Sequence, residues 1–389
     1  MDRDRIVLKI RPVTQAIAAA AAFRLAIFVG TLIWPISNER GLPVSPLHGQ
    51  AYFDFQFYLD SLARYSESWL NIAQEFLQFF QAPFVAPATQ LISGPVFPFV
   101  MRLFQYGPGN LLPLAVFYLV VSIGLAAAWL TWLSNKGVSA PWLIVFALIP
   151  NPIWFTLVIS PDLLFAALFA VFFLLYFETR PSAAQTTGWV LALATMLLLR
   201  PNSFSVLMFV ALHAGWAMVQ SRAFDIRRGI LATALLLVFG LYLYPYFLNE
   251  MQKAGSVLSY FGFTPFEYIN GIYPALPGWI DRPLSWGALV GAKLVYFVGL
   301  RPSYGFTNTL LVLARGGAGV ILLPGIFYLF WAGRRGEMAL IGLYCLPIVL
   351  GPAQDRYYLP IYPILFLYGV MAYQAAWRAV STGRRSQLT

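Results

Sequence analysis

The sequence predicts an all-α polytopic membrane protein with about ten transmembrane helices and further amphipathic helices along the membrane interface. Only 10% of its 389 residues are charged and 60% are hydrophobic, whereas a typical soluble domain has about 25% charged residues. Apolar runs of about 20 residues, the length that a helix needs to cross a bilayer, recur along the chain. The 12 tryptophans and 21 tyrosines are typical of aromatic belts at membrane interfaces.

The first predicted span, 14–36, follows a basic N-terminal segment and has no small-residue cleavage site after its apolar run. We therefore expect an uncleaved signal anchor. The later spans are predicted at 111–134, 141–159, 162–179, 186–200, 203–220, 229–248, 308–333, 337–352 and 357–378. The stretch Leu91–Gln105 is an open alternative, because a short span there would invert the topology of the later helices.

The whole chain, 1–389, is predicted to form one transmembrane domain with two long loops on the outer side of the membrane. The first loop, 37–110, contains a proline-free part at 52–81 that mixes polar and aromatic residues, as interfacial amphipathic helices do. The second loop, 249–307, is rich in Tyr, Phe, Pro and Gly, and Leu289–Leu300 is predicted to form another interfacial helix.

An even number of spans places both termini on one side, and the positive-inside rule selects that side. The connections assigned to the inner side carry most of the Lys and Arg residues and few of the acids. Both termini are therefore predicted to be cytoplasmic, in a bacterial inner membrane, and the polar outer residues are periplasmic. This orientation explains the net charge of +10, and no nucleic-acid partner is predicted because the basic residues form no soluble patch.

Cysteine and histidine are too scarce for several kinds of site. The single cysteine, Cys345, lies in a hydrophobic span, which excludes an intramolecular disulfide and a cysteine-based metal cluster. The two histidines, His48 and His213, do not favour a histidine-rich zinc or haem site.

Asp54 is the first candidate catalytic residue, in an aromatic stretch that follows the first span. Asp60 has Arg64 four residues further on, so the two side chains can pair on one face of a helix. Asp54 has no such partner, because Phe57 and Tyr58 occupy the positions three and four residues ahead. A carboxylate among aromatic rings is poised for a raised proton affinity, as a general base requires. The alternative is that Asp54 is a solvated acid in an interfacial loop.

Five further charged residues collect on the predicted outer side, where charged groups at membrane depth usually serve a function. These residues are Asp162, Arg200, Arg301, Asp355 and Arg356. Each also has a structural interpretation. Asp162 suits a helix start, and Arg200 and Arg301, which both precede proline, suit interface anchors. Asp355 and Arg356 suit a local ion pair.

Arg24 lies inside the first span, where it is expected to pair with an acid or to extend toward the interface. The functional interpretation is that the outer residues frame one site. Carboxylates there can deprotonate a hydroxyl or hold a divalent cation, and arginines can bind a lipid phosphate. The aromatic interfacial helices can hold a sugar ring and a polyprenyl chain.

Four elements follow one another in an order that is typical of a family of membrane enzymes. The first is an acid in the first outer loop that is followed by an aromatic and a small residue (Asp54, Tyr58, Ala63). The second is a Pro-aromatic-Pro element (Gly94–Pro98), and the third is an acid near the outer end of the third span (Asp162). The fourth is an Arg-Tyr-Tyr-Leu-Pro run (Arg356–Pro363). In these elements the chain resembles the GT-C superfamily of integral membrane glycosyltransferases, which use polyprenyl-phosphate sugars. It differs in that Asp54 is followed by Phe55 rather than by a second acid.

The resemblance implies inverting transfer of a sugar from a polyprenyl-phosphate donor to the hydroxyl of a glycan, lipid or protein acceptor on the periplasmic face. It assigns the role of general base to Asp54 and leaves Asp162 to orient the acceptor or to help hold a cation. The candidates for binding the donor phosphate are Arg200, Arg301 and Arg356. Further substrate-binding residues are Tyr58, Asp60 and Asp355. The metal requirement stays open, and a divalent cation, Mg²⁺ or Mn²⁺, is the candidate cofactor.

Two alternatives share the hydrophobicity and the outer arginines. A lipid-linked sugar flippase or exporter would need ionisable groups along a path through the membrane, and most acids of this chain lie on one side. A polysaccharide polymerase or ligase would rely on arginines and a histidine in the outer loops, and His48 keeps this alternative open.

Overall fold

The computed structural model describes a helical protein, and the predicted all-α fold is confirmed for the described part of the chain. The described residues are 3–37, 43–44, 70, 74, 96–104, 111–177, 182–200, 203–221, 234, 276–300, 309–350 and 355–386. The helices are α1 (Arg3–Ile33), α2 (Val96–Phe104), α3 (Leu112–Asn135), α4 (Ala140–Leu148), α5 (Pro150–Leu157), α6 (Pro161–Tyr176), α7 (Ala183–Leu199), α8 (Phe204–Ser221), α9 (Gly278–Phe297), α10 (Thr309–Trp331), α11 (Arg335–Leu350) and α12 (Tyr362–Ser386). A 3₁₀ helix, Asp355–Tyr358, precedes α12, and Ile36–Ser37 pairs with Pro43–Val44 as a two-residue antiparallel ladder.

The apolar runs locate the helices well. Helices α3, α6, α7, α8, α10 and α11 each begin and end within three residues of the span predicted there. Helix α1 starts earlier than the predicted span, and α12 starts five residues later because the 3₁₀ helix occupies the beginning of that run. The predicted span 229–248 lies outside the described residues, apart from residue 234.

The predicted span 141–159 is wrong as a single helix. The helix is interrupted at Ile149, which has extended backbone angles (φ −64°, ψ 119°) between α4 and α5. Pro150 and Pro152 cause the break, since neither has an N–H group to donate to the carbonyl four residues earlier, and each ring clashes with the preceding turn.

Two further helices, α2 and α9, lie in the predicted outer loops. Helix α2 has nine residues and rises about 14 Å, which is well short of the roughly 30 Å of a bilayer core. The described part of Leu91–Gln105 is therefore not a full span. Helix α9 begins at Gly278, eleven residues before the predicted start, and contains Pro283 in its interior.

The core packs as neighbouring helix pairs. Helix α1 lies against α3 and α4, α6 lies against α7, and α10 crosses α12. The last crossing is the closest: a Cβ atom on Gly325 would stand 2.1 Å from the carbonyl oxygen of Leu365, and one on Gly369 would stand 2.2 Å from that of Ile321. Backbone contact of this kind requires glycine on both helices.

Two of the described helical segments, Pro12–Ile33 and Leu112–Asn135, are long and apolar enough to cross a membrane. Shorter apolar helices occur at Pro161–Tyr176, Ala183–Leu199 and Phe204–Trp216.

Candidate functional site

The candidate site is built around a buried ion pair between Asp162 and Arg200, two residues that the sequence analysis selected independently. Asp162 is in the first turn of α6, where Ser160 is the N-cap and its Oγ accepts a hydrogen bond of 3.3 Å from the Asp162 backbone N–H. Pro161 occupies the first position of the helix, where proline is favoured. The helix start expected at Asp162 is therefore present, with Ser160 as the cap, and the Asp162 carboxylate also binds Arg200.

Arg200 lies directly after α7 and points into the protein instead of serving as an interface anchor. Its backbone is extended and its side chain is buried. The guanidinium carbon is 5.3 Å from the centre of the Tyr357 ring, which is cation–π distance. The carbonyl oxygen of Tyr357 accepts a hydrogen bond of 2.9 Å from the hydroxyl of Tyr344. The ion pair thus contacts the 3₁₀ helix that opens the Arg-Tyr-Tyr-Leu-Pro run.

Two hydrogen bonds join α3 to the chain segment that leads into Asp162. The Tyr118 hydroxyl donates to the Ser160 carbonyl oxygen at 2.5 Å, and the Ser122 hydroxyl donates to Thr156 Oγ1 at 2.6 Å. The two contacts are four residues apart in the sequence of each segment, which corresponds to about 6 Å along α3. Tyr118 lies six residues after the start of α3, which corresponds to about 9 Å along its axis. The turn between α5 and α6 therefore contacts α3 inside the helix and not at its N-terminal end.

Helix α9 contributes a charged residue that the sequence analysis missed. Lys293 is buried, and burial lowers the pKa of its ammonium group from 10.5 to about 8. One turn further on, the ring of Phe297 meets the ring of Tyr358 edge-on, with centroids 6.0 Å apart. Lys293 is therefore on the helix that packs against the 3₁₀ helix. A single lysine within an apolar stretch is a signal that sequence reasoning can use.

Several predicted site residues lie outside the described residues, and the roles assigned to them stay predictions. They are Asp54, Tyr58, Asp60 and Arg301. The backbone of Asp355 and Arg356 is described as part of the 3₁₀ helix, but their side chains are outside the description. The structure thus brings together Asp162, Arg200 and the segment that carries the last two residues.

The described residues contain no group of three or more His, Cys, Asp or Glu side chains that could hold a metal ion. The first-loop acids Asp54 and Asp60 are not among the residues searched.

Arg24 behaves differently from the expectation that it would pair with an acid or extend to the interface. Its side chain is buried at 5% exposure, and its Nε donates to the Ser122 hydroxyl at 3.0 Å. Among the described residues, the ion pair that forms is Asp162–Arg200, so Arg24 adds a second polar cluster next to the first.

No protein-family model matches this chain, and neither a curated protein nor a solved structure matches it. The likeness to GT-C glycosyltransferases therefore depends on the residues named above.

Proposed function

We propose that this protein is a polytopic membrane glycosyltransferase that transfers a sugar from a polyprenyl-phosphate donor to an acceptor hydroxyl on the extracytoplasmic face. The observation that carries the proposal is the contact between Asp162, Arg200 and Tyr357. Asp162 and Tyr357 belong to two elements of the family pattern that are almost 200 residues apart in the chain, and Arg200 contacts both.

Membrane insertion of several helices is supported by apolar side chains that face outward. Large hydrophobic residues are exposed along α1, α3 and α10, including Leu25, Val29, Val120, Phe327 and Trp331. Contiguous apolar surface of this extent is costly in water and favourable in lipid. Only 28% of the apolar window of α1 and 44% of that of α3 are buried inside the protein. A soluble core helix would be mostly buried.

The ion pair supports a division of roles between the two acids. Asp162 is held by its cap and by Arg200, which suits a group that orients the acceptor. The proton of the acceptor hydroxyl then goes to Asp54, the proposed base. The acceptor oxygen bonds to the anomeric carbon of the sugar as the bond from that carbon to the phosphate oxygen breaks, and the polyprenyl phosphate leaves with the electron pair.

The test uses the purified full-length protein with a panel of radiolabelled polyprenyl-phosphate sugars and measures released polyprenyl phosphate. We expect release with one sugar and loss of release in Asp54→Asn. Asp225→Asn is the matched control, since Asp225 lies in a connection assigned to the inner side. Arg301→Lys should weaken donor binding, because an ammonium group cannot reproduce the planar fork of a guanidinium. Transfer at the parental rate in Asp54→Asn would remove Asp54 from the role of base.

The flippase or exporter alternative is favoured by one observation, the buried Arg24 in the interior of the helices. A flippase moves the lipid-linked sugar across the bilayer without breaking the sugar–phosphate bond. Proteoliposomes with a fluorescent polyprenyl-phosphate sugar therefore distinguish the two functions. Sugar movement without release of polyprenyl phosphate would overturn the glycosyltransferase proposal.

A further inference from the structure

A second buried polar cluster includes Ser122, which lies one turn of α3 after Tyr118, and is not used by the proposed reaction. We call it the Arg24 cluster, and it consists of Arg24, Ser122, Thr156 and Tyr362 with the carbonyl oxygen of Ala147. Arg24 Nε donates to Ser122 Oγ at 3.0 Å, and one terminal nitrogen donates to the carbonyl oxygens of Ala20 at 3.2 Å and Ala147 at 3.5 Å.

The cluster is located at the break between α4 and α5. Pro150 and Pro152 have no N–H group to donate to the carbonyls of Phe146 and Leu148. Arg24 donates to the carbonyl of Ala147, which lies between these two residues. Non-helical backbone within a membrane is tolerated where it is buried in protein or lines a polar cavity. Broken helices of this kind form ion and substrate sites in transport proteins.

The positive charge of Arg24 is not balanced within the described part of the chain. Every acceptor that it contacts is a neutral oxygen, and its second terminal nitrogen makes no hydrogen bond to a described residue. Ser122 accepts from Arg24 and donates to Thr156, which in turn donates to the Ile153 carbonyl oxygen at 2.7 Å. This chain orients the guanidinium but supplies no negative charge. A buried charge without a counter-ion is costly, and arginine does not lose its proton.

Tyr362 provides an independent observation. Its side chain is 3% exposed, and its buried hydroxyl has no hydrogen-bond partner among the described residues. The ring stacks on Phe146 with centroids 5.0 Å apart, and Phe146 directly precedes Ala147, whose carbonyl oxygen accepts from Arg24. The Tyr362 hydroxyl thus has a hydrogen to donate, and the Arg24 guanidinium has a positive charge that no described residue balances. One anionic oxygen group can accept hydrogen bonds from both.

We propose that the Arg24 cluster is a binding site for a phosphate group, with Arg24 supplying the charge and the Tyr362 hydroxyl a second donor. A guanidinium matches the geometry of phosphate oxygens, whether the phosphate is free or carried by a lipid. The site lies about 14 Å along α1 from its C-terminal residue. The inference does not require sugar transfer.

The test measures binding of farnesyl phosphate, a short polyprenyl phosphate, to the purified full-length protein in detergent, with farnesol as the uncharged reference. We expect binding of farnesyl phosphate but not of farnesol. Tyr362→Phe should weaken the affinity by about tenfold, the cost of one hydrogen bond to a charged group, and Arg24→Gln should abolish binding. Tyr373→Phe is the matched control on the same helix, since its hydroxyl donates to the Val320 carbonyl outside the cluster.

Tyr362→Phe keeps the test decisive if Arg24→Gln does not fold, because the Tyr362 hydroxyl has no partner whose loss would destabilise the protein. Equal affinity in Tyr362→Phe and Tyr373→Phe would overturn the proposal, as would binding that survives in folded Arg24→Gln. Competition by inorganic phosphate would assign the site to the free ion, and lack of competition would assign it to a lipid headgroup. Binding without any sugar transfer leaves the site in place and overturns the proposed function alone.

Discussion

Asp162 and Arg200 form a buried ion pair that joins the first turn of α6 to the residue after α7. The pair is close to neutral as a unit, so a substrate phosphate at this position would have to share Arg200 with Asp162. The same guanidinium also lies against the Tyr357 ring. The pair therefore acts first as a positioning device for the 3₁₀ helix and for the end of α7.

The first prediction concerns the loss of one partner of this pair. Asp162→Asn leaves the charge of Arg200 buried without its carboxylate, and Arg200→Gln leaves Asp162 in the same condition. Removal of one partner from a buried ion pair costs about 3–5 kcal/mol of unfolding free energy. Thermal unfolding of the purified variants in detergent measures this loss.

The double variant Asp162→Asn/Arg200→Gln should be less destabilised than the sum of the two single variants, since neither charge is then left alone. Additive effects would show that the two side chains are stabilised by other contacts. They would also remove the ion pair from its positioning role.

The second prediction concerns the ring of Tyr357. Tyr357→Leu removes the cation–π contact with Arg200, which contributes about 0.5–2 kcal/mol, whereas Tyr357→Phe retains an aromatic face. The backbone carbonyl that accepts from Tyr344 is present in both variants. We expect a lower melting temperature for the leucine variant than for the phenylalanine variant. Equal melting temperatures would mean that the ring contributes through packing area alone.

The helices and the cap of α6 could be predicted because their signals are local. Apolar runs locate the helices, and the Ser-Pro-Asp sequence starts α6 as expected. The signal for the break at Ile149 is also local, since Pro150 and Pro152 directly follow this position in the sequence. The surrounding residues are apolar, however, so the hydropathy of 141–159 predicted one continuous helix. Hydropathy averages over a window and does not register a missing N–H group.

The contacts of the site could not be predicted, because they join distant segments. Asp162 and Arg200 are separated by 38 residues, and Arg24 and Ser122 by 98. No periodicity links such positions, so the sequence showed only that these polar groups are costly in an apolar environment. It therefore selected the residues without showing which partner each one would find.

The third prediction is a pH dependence that arises from Lys293. Burial lowers the pKa of this ammonium group to about 8, against 10.5 in the unfolded chain. Between these values the unfolded state binds more protons than the folded state, so stability rises with pH. Below about pH 8 both states are protonated, and the full cost of burying the charge is present. Lys293→Met removes this cost and should melt at a higher temperature than the parent at pH 7.

The advantage of Lys293→Met should shrink as the pH rises from 8 toward 10.5, because the native lysine then becomes neutral. Melting temperatures of the parent and the variant at pH 7, 8.5 and 10 measure the trend. A difference that stays constant over this range would mean that the charge of Lys293 does not control the stability of α9.

The fourth prediction concerns the crossing of α10 and α12. A methyl group at Gly325 would stand 2.1 Å from the Leu365 carbonyl oxygen, and one at Gly369 would stand 2.2 Å from the Ile321 carbonyl oxygen. Because both neighbours are backbone atoms, a rotamer change cannot relieve the clash, and the helices must separate. Gly325→Ala and Gly369→Ala should each lower the unfolding free energy by about 1–3 kcal/mol, the usual cost of overpacking.

Gly317→Ala is the control on the same helix, since nothing lies within 4 Å of a Cβ atom there. Alanine has the higher helix propensity by about 1 kcal/mol, so this variant should be as stable as the parent or more stable. The double variant Gly325→Ala/Gly369→Ala should cost less than the sum of the single variants, because helices separated by one methyl group already make room for the other. Full additivity, or a Gly325→Ala variant that melts like Gly317→Ala, would mean that the two glycines do not set the distance between α10 and α12.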